Sequence, residues 1–241
     1  MRRARGRAIL ILTLVVAVAL ALVAYANRAK SLPPRPAGER PTLLLLTSLP
    51  LVFGEDFSVQ QSGSPALRAL ETRYRVVPIS VADPAELAKG RLLFMAQPLA
   101  QPAEDLVALD EWVRRGGRVL LLADPMLEWP SKRPLGDALR PPPIFTDSGL
   151  LGHWGLRLDA PDERGIGNRK LGGYDVVTVS PGELSGNCII APDGLAARCR
   201  IGEGQATVVA DADLLDAERL GASASHNLDG LLAELAQLEH A

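Results

Sequence analysis

The sequence predicts an α/β domain with a doubly wound, mostly parallel sheet, and three stretches carry that prediction. Residues 104–125 read as an amphipathic helix, a Gly-Gly stop and an apolar strand ending on Asp-Pro. Leu106, Leu109, Trp112 and Val113 recur there at helical spacing, with Asp105, Asp110, Glu111 and Arg114 off the stripe. Thr42 to Thr47 (TLLLLT) and Ala206 to Ala210 (ATVVA) are short apolar runs of the kind that fill strands covered on both faces. Strands alternating with helices over short connections build a parallel sheet with right-handed crossovers.

The chain of 241 residues has room for one such domain plus an appendage. Its net charge of −2 conceals four arginines within the first seven residues, without which the rest is clearly acidic. That balance, with only 4% aromatic residues, excludes a nucleic-acid surface, which needs a basic stripe and stacking platforms.

After the basic tail of residues 1–7, Ala8 to Ala26 is a run of 19 uncharged, mostly apolar residues, long enough to cross a bilayer core. The preceding arginines would stay cytoplasmic, which sends the C-terminal domain outside the cytoplasm, at the inner membrane of a single-pass protein. Ala24-Tyr25-Ala26 also has the small-x-small form of a signal-peptidase site, so retention and cleavage of this segment compete. Residues 27–41 are Pro-rich and charged and read as a semi-extended spacer.

The folded domain is expected over residues 42–241. Strand 42–47 is followed by a loop and a short helix opened by Ser64-Pro65, then by strand 75–80, whose Pro78 points to a sheet edge. A brief helix over 82–89 leads to strand 91–97, the helix with Arg114 and Arg115 in its last turn, and the Gly116-Gly117 stop. Residues 126–143, with Pro130, Pro134 and Pro141 to Pro143, form a long loop at the carboxyl end of the sheet. Residues 148–158 suggest a short helix and a strand, and Tyr174 to Ser180 a β-branched strand.

A small β-rich insertion is expected over 160–201. Asp193-Gly194 is a hairpin turn signal, and centring the turn there sets Cys188 opposite Cys199. In an oxidising compartment that register invites a disulfide; two half-buried thiols are the other reading. The chain closes with a helix over 227–238, with Leu228, Leu231, Leu232, Leu235 and Leu238 inward and Asn227 as its cap.

The phrase from Leu109 to Pro125, the run from Gly202 to Leu215 and the closing HNLDGLL from His226 resemble the extracytoplasmic domain of gliding-motility GldG-like proteins, auxiliary parts of ABC transport systems. The wider group, DUF4350 or GATase-like domains, resembles class I glutamine amidotransferases in fold. The resemblance spans roughly residues 42–158 and 202–238. It implies an ABC permease and ATPase as partners.

Catalysis of the amidotransferase kind needs a Cys on a tight strand-to-helix turn, with a His and an acid. Cys188 and Cys199 lie past the strands that would carry such an elbow, and no G-x-S-x-G is present. No catalytic residue, metal or cofactor is therefore assigned. Asp124 and Asp211 each end an apolar strand, where ligands of open α/β sheets bind, and Asp213 and His226 follow. These four are the candidate ligand-binding set, against the alternative that Asp at a strand end caps its own turn. Gly165 and Gly167 among Arg164, Arg169 and Lys170 hint at an anion cradle but lack the strand and helix that the dinucleotide fingerprint requires. Trp129 and Trp154 stand in or beside irregular stretches and are candidate partner contacts. The reading that follows is a non-catalytic, membrane-anchored extracytoplasmic module of an ABC-type system. A small-ligand or sugar-binding domain is the runner-up, and a metal-assisted hydrolase using the aspartates comes third.

Overall fold

The computed structural model describes residues 31–54 and 63–241. The expected membrane segment, residues 8–26, lies outside them; among the described residues no helix is long and apolar enough to cross a membrane.

Residues 32–241 form one compact unit. Its centre is a seven-stranded sheet in the order β2-β1-β3-β4-β11-β10-β9. β1 (Thr42–Thr47), β2 (Arg75–Pro78), β3 (Leu92–Ala96), β4 (Arg118–Leu122) and β11 (Gly204–Val209) are mutually parallel, while β10 (Ala196–Ile201) and β9 (Ile189–Ile190) continue the sheet antiparallel. The mostly parallel, doubly wound sheet expected from the sequence is therefore present. Pro78 does lie on the edge strand β2, where its missing N–H breaks no ladder.

The uniform apolar runs follow from coverage on both faces. Along β1, Leu43 and Leu45 pack into one core and Leu44 and Leu46 into the other. The first core lies under α1 (Pro65–Glu71) and α6 (Asn227–Glu239). The second lies under α2 (Pro84–Leu87), α3 (Ala103–Arg114) and α4 (Leu150–His153). Ser64 caps α1 by accepting the Leu67 N–H at 3.0 Å, and Asp83 caps α2 by accepting that of Glu86 at 2.7 Å. Helix α3 ends as its sequence requires. Gly116 takes φ +98°, and at Gly117 a Cβ would lie 2.3 Å from a ring carbon of Trp112.

The expected insertion over 160–201 does not form a single separate unit. β5 (Leu156–Asp159) pairs with β8 (Glu183–Gly186), and β6 (Ile166–Leu171) pairs with β7 (Tyr174–Val179). The Cys188–Cys199 hairpin instead extends the main sheet, because β10 pairs with β11 on its other side. Its register is as expected: Ile190 faces Ala197, Ile189 faces Arg198, and Cys188 and Cys199 are joined by a disulfide. The β6–β7 hairpin joins the first core through Leu171, Tyr174 and Val176.

Two further expectations are corrected. Residues 32–41 are not a spacer standing off the domain: the Arg35 N–H donates to Thr72 O at 2.9 Å, and its guanidinium meets Glu239 at 2.9 Å over the Tyr74 ring. Arg73 in turn donates to Pro33 O, and Leu32 packs against the first core. Asn227 is not a cap. It is the first residue of α6, fully buried, and its amide accepts from Val177 N and donates to Val177 O and Leu214 O. It pairs with β7 as a neighbouring strand would.

Candidate functional site

β4 and β11 run in register, Leu122 beside Val209, so two further steps along each bring Asp124 and Asp211 together at the carboxyl edge. Both are completely buried, as is Asp213. Asp124 accepts the Met126 N–H on Oδ1 and the Ala212 N–H on Oδ2, each at 2.8 Å. Asp211 accepts Leu214 N–H at 2.7 Å and Val179 N–H at 2.8 Å, one on each oxygen. Asp213 accepts Glu128 N–H at 2.7 Å on Oδ2 and the Arg219 guanidinium at 2.7 Å on Oδ1. All six carboxylate oxygens are thus engaged by donors from the chain itself.

Burial is the largest influence on these acids. It pushes Asp124 up to about 6 and Asp213 up to about 7, against the opposing pull of backbone N–H donors. Asp211 is raised well above the ordinary carboxylate range, by burial first and then by the charges of Asp124 and Asp213. The cluster works as a clamp: Asp124 closes the β4 turn and ties it to β11, Asp211 ties β11 to β7, and Asp213 ties the β11 turn to Glu128. The turn-capping role open to a strand-end Asp is the one these residues fill. Among the described residues no group of three or more His, Cys, Asp and Glu is arranged to hold a metal ion.

The other candidates fall elsewhere. His226 is exposed, 3.4 Å from Asp229 and beside the Tyr174 ring, with no hydrogen bond to the aspartate cluster. Trp154 is core: it is 7% exposed, and its indole N–H donates to Asp110 at 2.9 Å. Its proposed partner contact is overturned by that burial. Trp129 is half-buried, with the first core against it and a groove beside it. The Gly165–Lys170 stretch enters strand β6, where Lys170 pairs with Asp175 at 2.6 Å.

Sequence reasoning passed over Gln97. It follows β3 directly with φ +43°, one of two non-glycine residues at positive φ among those described. A strained residue between a strand and the next helix is where a nucleophile elbow would stand. Here it is a buried amide whose Oε1 accepts Asp124 N–H at 2.9 Å and whose Nε2 donates to Asp124 O and Pro142 O. Gln97 braces the long loop against β4 and presents no nucleophile. The only signal in the sequence was a polar residue closing a buried strand ahead of Pro98.

The carboxyl edge is hollow beside the clamp. A groove of about 440 Å³ lies between Pro50, Ser64-Pro65, Trp129-Pro130 and residues 215–218. A cleft of about 420 Å³ lies over the ends of β1 and β2, between Phe53, Ser80, Arg133 and Leu139. Pro50 and Gly54 border both. None of Asp124, Asp211 and Asp213 lines either cavity.

A cytoplasmic protein from Salmonella typhimurium has a similar fold, with TM-score 0.50 and 11% identity over 82% of this chain and 98% of that one. An exo-β-1,4-mannosidase from an Opitutaceae bacterium matches at TM-score 0.48 and 12% identity over 83% of this chain. A β-galactosidase from Rahnella sp. R3 matches at 0.47 and 12% over 83%. The chain spans about a third of these two glycosidases, 36% and 31% of their lengths. No curated protein matches it. The model of the family described as a domain of unknown function, DUF4350, matches residues 56–226, which is most of the folded domain, and the chain belongs to that family.

Proposed function

We propose that this chain is a non-catalytic, membrane-anchored module working outside the cytoplasm, where its domain presents the loops at the sheet's carboxyl edge to a partner. The observation that carries this reading is the saturation of that edge. Every buried carboxylate there accepts donors from the chain, and the residue at the elbow is a Gln with its amide tied to backbone. Groups so engaged hold loops in place and do not turn over a substrate. The Cys188–Cys199 disulfide supports an oxidising compartment, and the arginines before the apolar run at 8–26 support that orientation. The likeness of the Leu109–Pro125 and Gly202–Leu215 phrases to GldG-like, GATase-like domains makes an ABC permease and ATPase the partners to look for.

The test is affinity capture of the full-length protein from membranes in mild detergent, with proteins and small molecules both identified. Recovery of an ATPase and permease pair supports the auxiliary role. Turnover of esters, amides or phosphates by the purified protein, abolished by Asp124→Asn in a folded variant, would sink it. The two cavities favour a second reading, a small-ligand or sugar-binding domain. Recovery of the protein alone with a bound metabolite, lost in Trp129→Ala, supports that one.

A further inference from the structure

The amino edge of the sheet, opposite the loops that bear Asp124 and Asp211, carries an arginine on nearly every strand. Arg75 and Arg118 open β2 and β4, Arg91 stands one residue before β3, and Arg40 two before β1. The ladder sets Arg200 of β10 across from Gln205, and Gln205 across from Arg118. Five arginines thus form a row across six neighbouring strands, about 24 Å long at the usual strand spacing.

Among the described residues, none of these arginines meets a side-chain carboxylate. Arg40 donates to Arg35 O, Arg75 to the Thr42 hydroxyl and Arg118 to Ala241 O. Arg91 and Arg200 are exposed, and their side chains donate to no described residue. Other cations beside this edge are matched: Arg35 by Glu239, Lys89 by Glu86, Arg114 by Asp110 and Arg115 by Glu111. Exposed Glu39, Glu71 and Glu203 lie nearby and leave positive charge in excess. The domain as a whole is acidic, and Asp216 and Glu218, at the head of α5 (Ala217–Leu220), line the groove at the opposite edge. Between the starts of β1, β3 and β4 lies a hollow of about 410 Å³, bordered by Lys89, Arg91 and Arg118 with Glu239 on one side.

The chain also enters the domain at this edge. Leu32 packs on the first core and Arg35 holds the ends of α1 and α6, so residues 32–41 leave no slack before β1. Only residues 27–31 separate them from the apolar run at 8–26, and these can span no more than about 20 Å.

We infer that the amino edge docks on anionic phospholipid headgroups, whose phosphates take the arginine row. The strands then stand on the membrane and hold the carboxyl edge, with its loops, clear of it. This inference rests on the anchored reading proposed above. Each basic residue near an anionic surface strengthens binding by about fivefold, and so short a tether makes the contact intramolecular.

The experiment is arginine labelling with phenylglyoxal on the full chain in lipid nanodiscs, read residue by residue by mass spectrometry. One set of discs is phosphatidylcholine alone and the other holds about 30% phosphatidylglycerol, both in about 50 mM salt. With phosphatidylglycerol, Arg75, Arg91 and Arg200 should label at least about fivefold more slowly. Arg164, tied to the carboxyl edge through Gly165, Ser180 and Glu128, should label equally in both. About 0.5 M salt should abolish the difference by screening. Arg91→Gln combined with Arg200→Gln removes no side-chain hydrogen bond among the described residues, and should abolish it too, as read at Arg75. Equal labelling of the row in the two discs would overturn the docking while leaving the anchor in place. Slow labelling in both discs, or protection of Arg75 that survives the double variant, would assign the row to another contact and overturn it as well. A chain that fails to enter the discs refutes the anchor and this inference together.

Discussion

Asp211 has 0% exposure and holds two backbone N–H groups, those of Val179 and Leu214. Asp211→Ala leaves both donors buried without an acceptor and should destabilise the domain by roughly 2–4 kcal/mol, measurable by urea unfolding. A wild-type midpoint in that variant would mean the carboxylate serves something other than the fold. The same acids set a pH dependence of unusual sign. Asp213 and Asp124 titrate at about 7 and about 6 in the folded chain, above the ordinary carboxylate value they regain on unfolding. Between those limits the folded state binds more protons than the unfolded one, so its stability increases as pH falls from 8 to 5 and is lost as pH rises through 6 to 7. Denaturation midpoints at pH 8, 6.5 and 5 should rise in that order, by a total on the order of a few kcal/mol. Acid thus strengthens the fold, because the protons go where burial had penalised charge. From the sequence one could see that Asp124 and Asp211 end buried strands. Their partners are backbone N–H groups as far as 88 residues away, and no local pattern encodes those.

Among the elements, those with a strong period were legible and those defined by distant pairing were not. Helix α3, its Gly-Gly stop and β4 follow from a stripe, a left-handed glycine and an apolar run. The stop has a second reason that spacing alone does not reveal, since the Trp112 ring lies over Gly117. Gly117→Ala forces that ring off its seat at the entry to β4 and should cost about 1–3 kcal/mol, read by thermal unfolding. Gly116→Ala strains only the backbone at positive φ, with open space around the added methyl, and offers the comparison that separates the two causes. The Cys188–Cys199 hairpin was legible in register because its turn is local, and illegible in membership because β11, the strand it joins, follows in the chain. Trp154 is illegible for a related reason: it stands beside irregular sequence, yet α4 folds it over α3 onto Asp110.

At the scale of the whole molecule, the segment before β1 decides how large the folded unit is. Proline-rich, charged sequence without periodicity reads as a spacer, because nothing local gives it a partner. Its partners are global: the C-terminal turn of α6 through Glu239, the end of α1 through Thr72, and Arg73 beside it. Arg35 brings these together, with its guanidinium over Tyr74 and its N–H on the α1 carbonyl, so the arm joins the first helix to the last. Leu32 adds apolar area against the first core and borders an open hollow together with Ala233 and Ala236 of α6. A chain beginning at residue 42 should therefore be less stable than one beginning at residue 31 by roughly 2–4 kcal/mol, from the lost apolar burial and half-buried hydrogen bonds. For a domain of this size that lowers the unfolding midpoint by roughly 5–15 °C. Glu239→Ala in the longer chain should reproduce part of the loss, since it removes the partner of Arg35 and leaves the arm's backbone bond in place. Equal midpoints for the two chains would return residues 32–41 to the role of a spacer. A lower midpoint makes the arm the first packed element of the domain, with Leu32 on the core, Pro33 on Arg73 and Arg35 on the ends of α1 and α6.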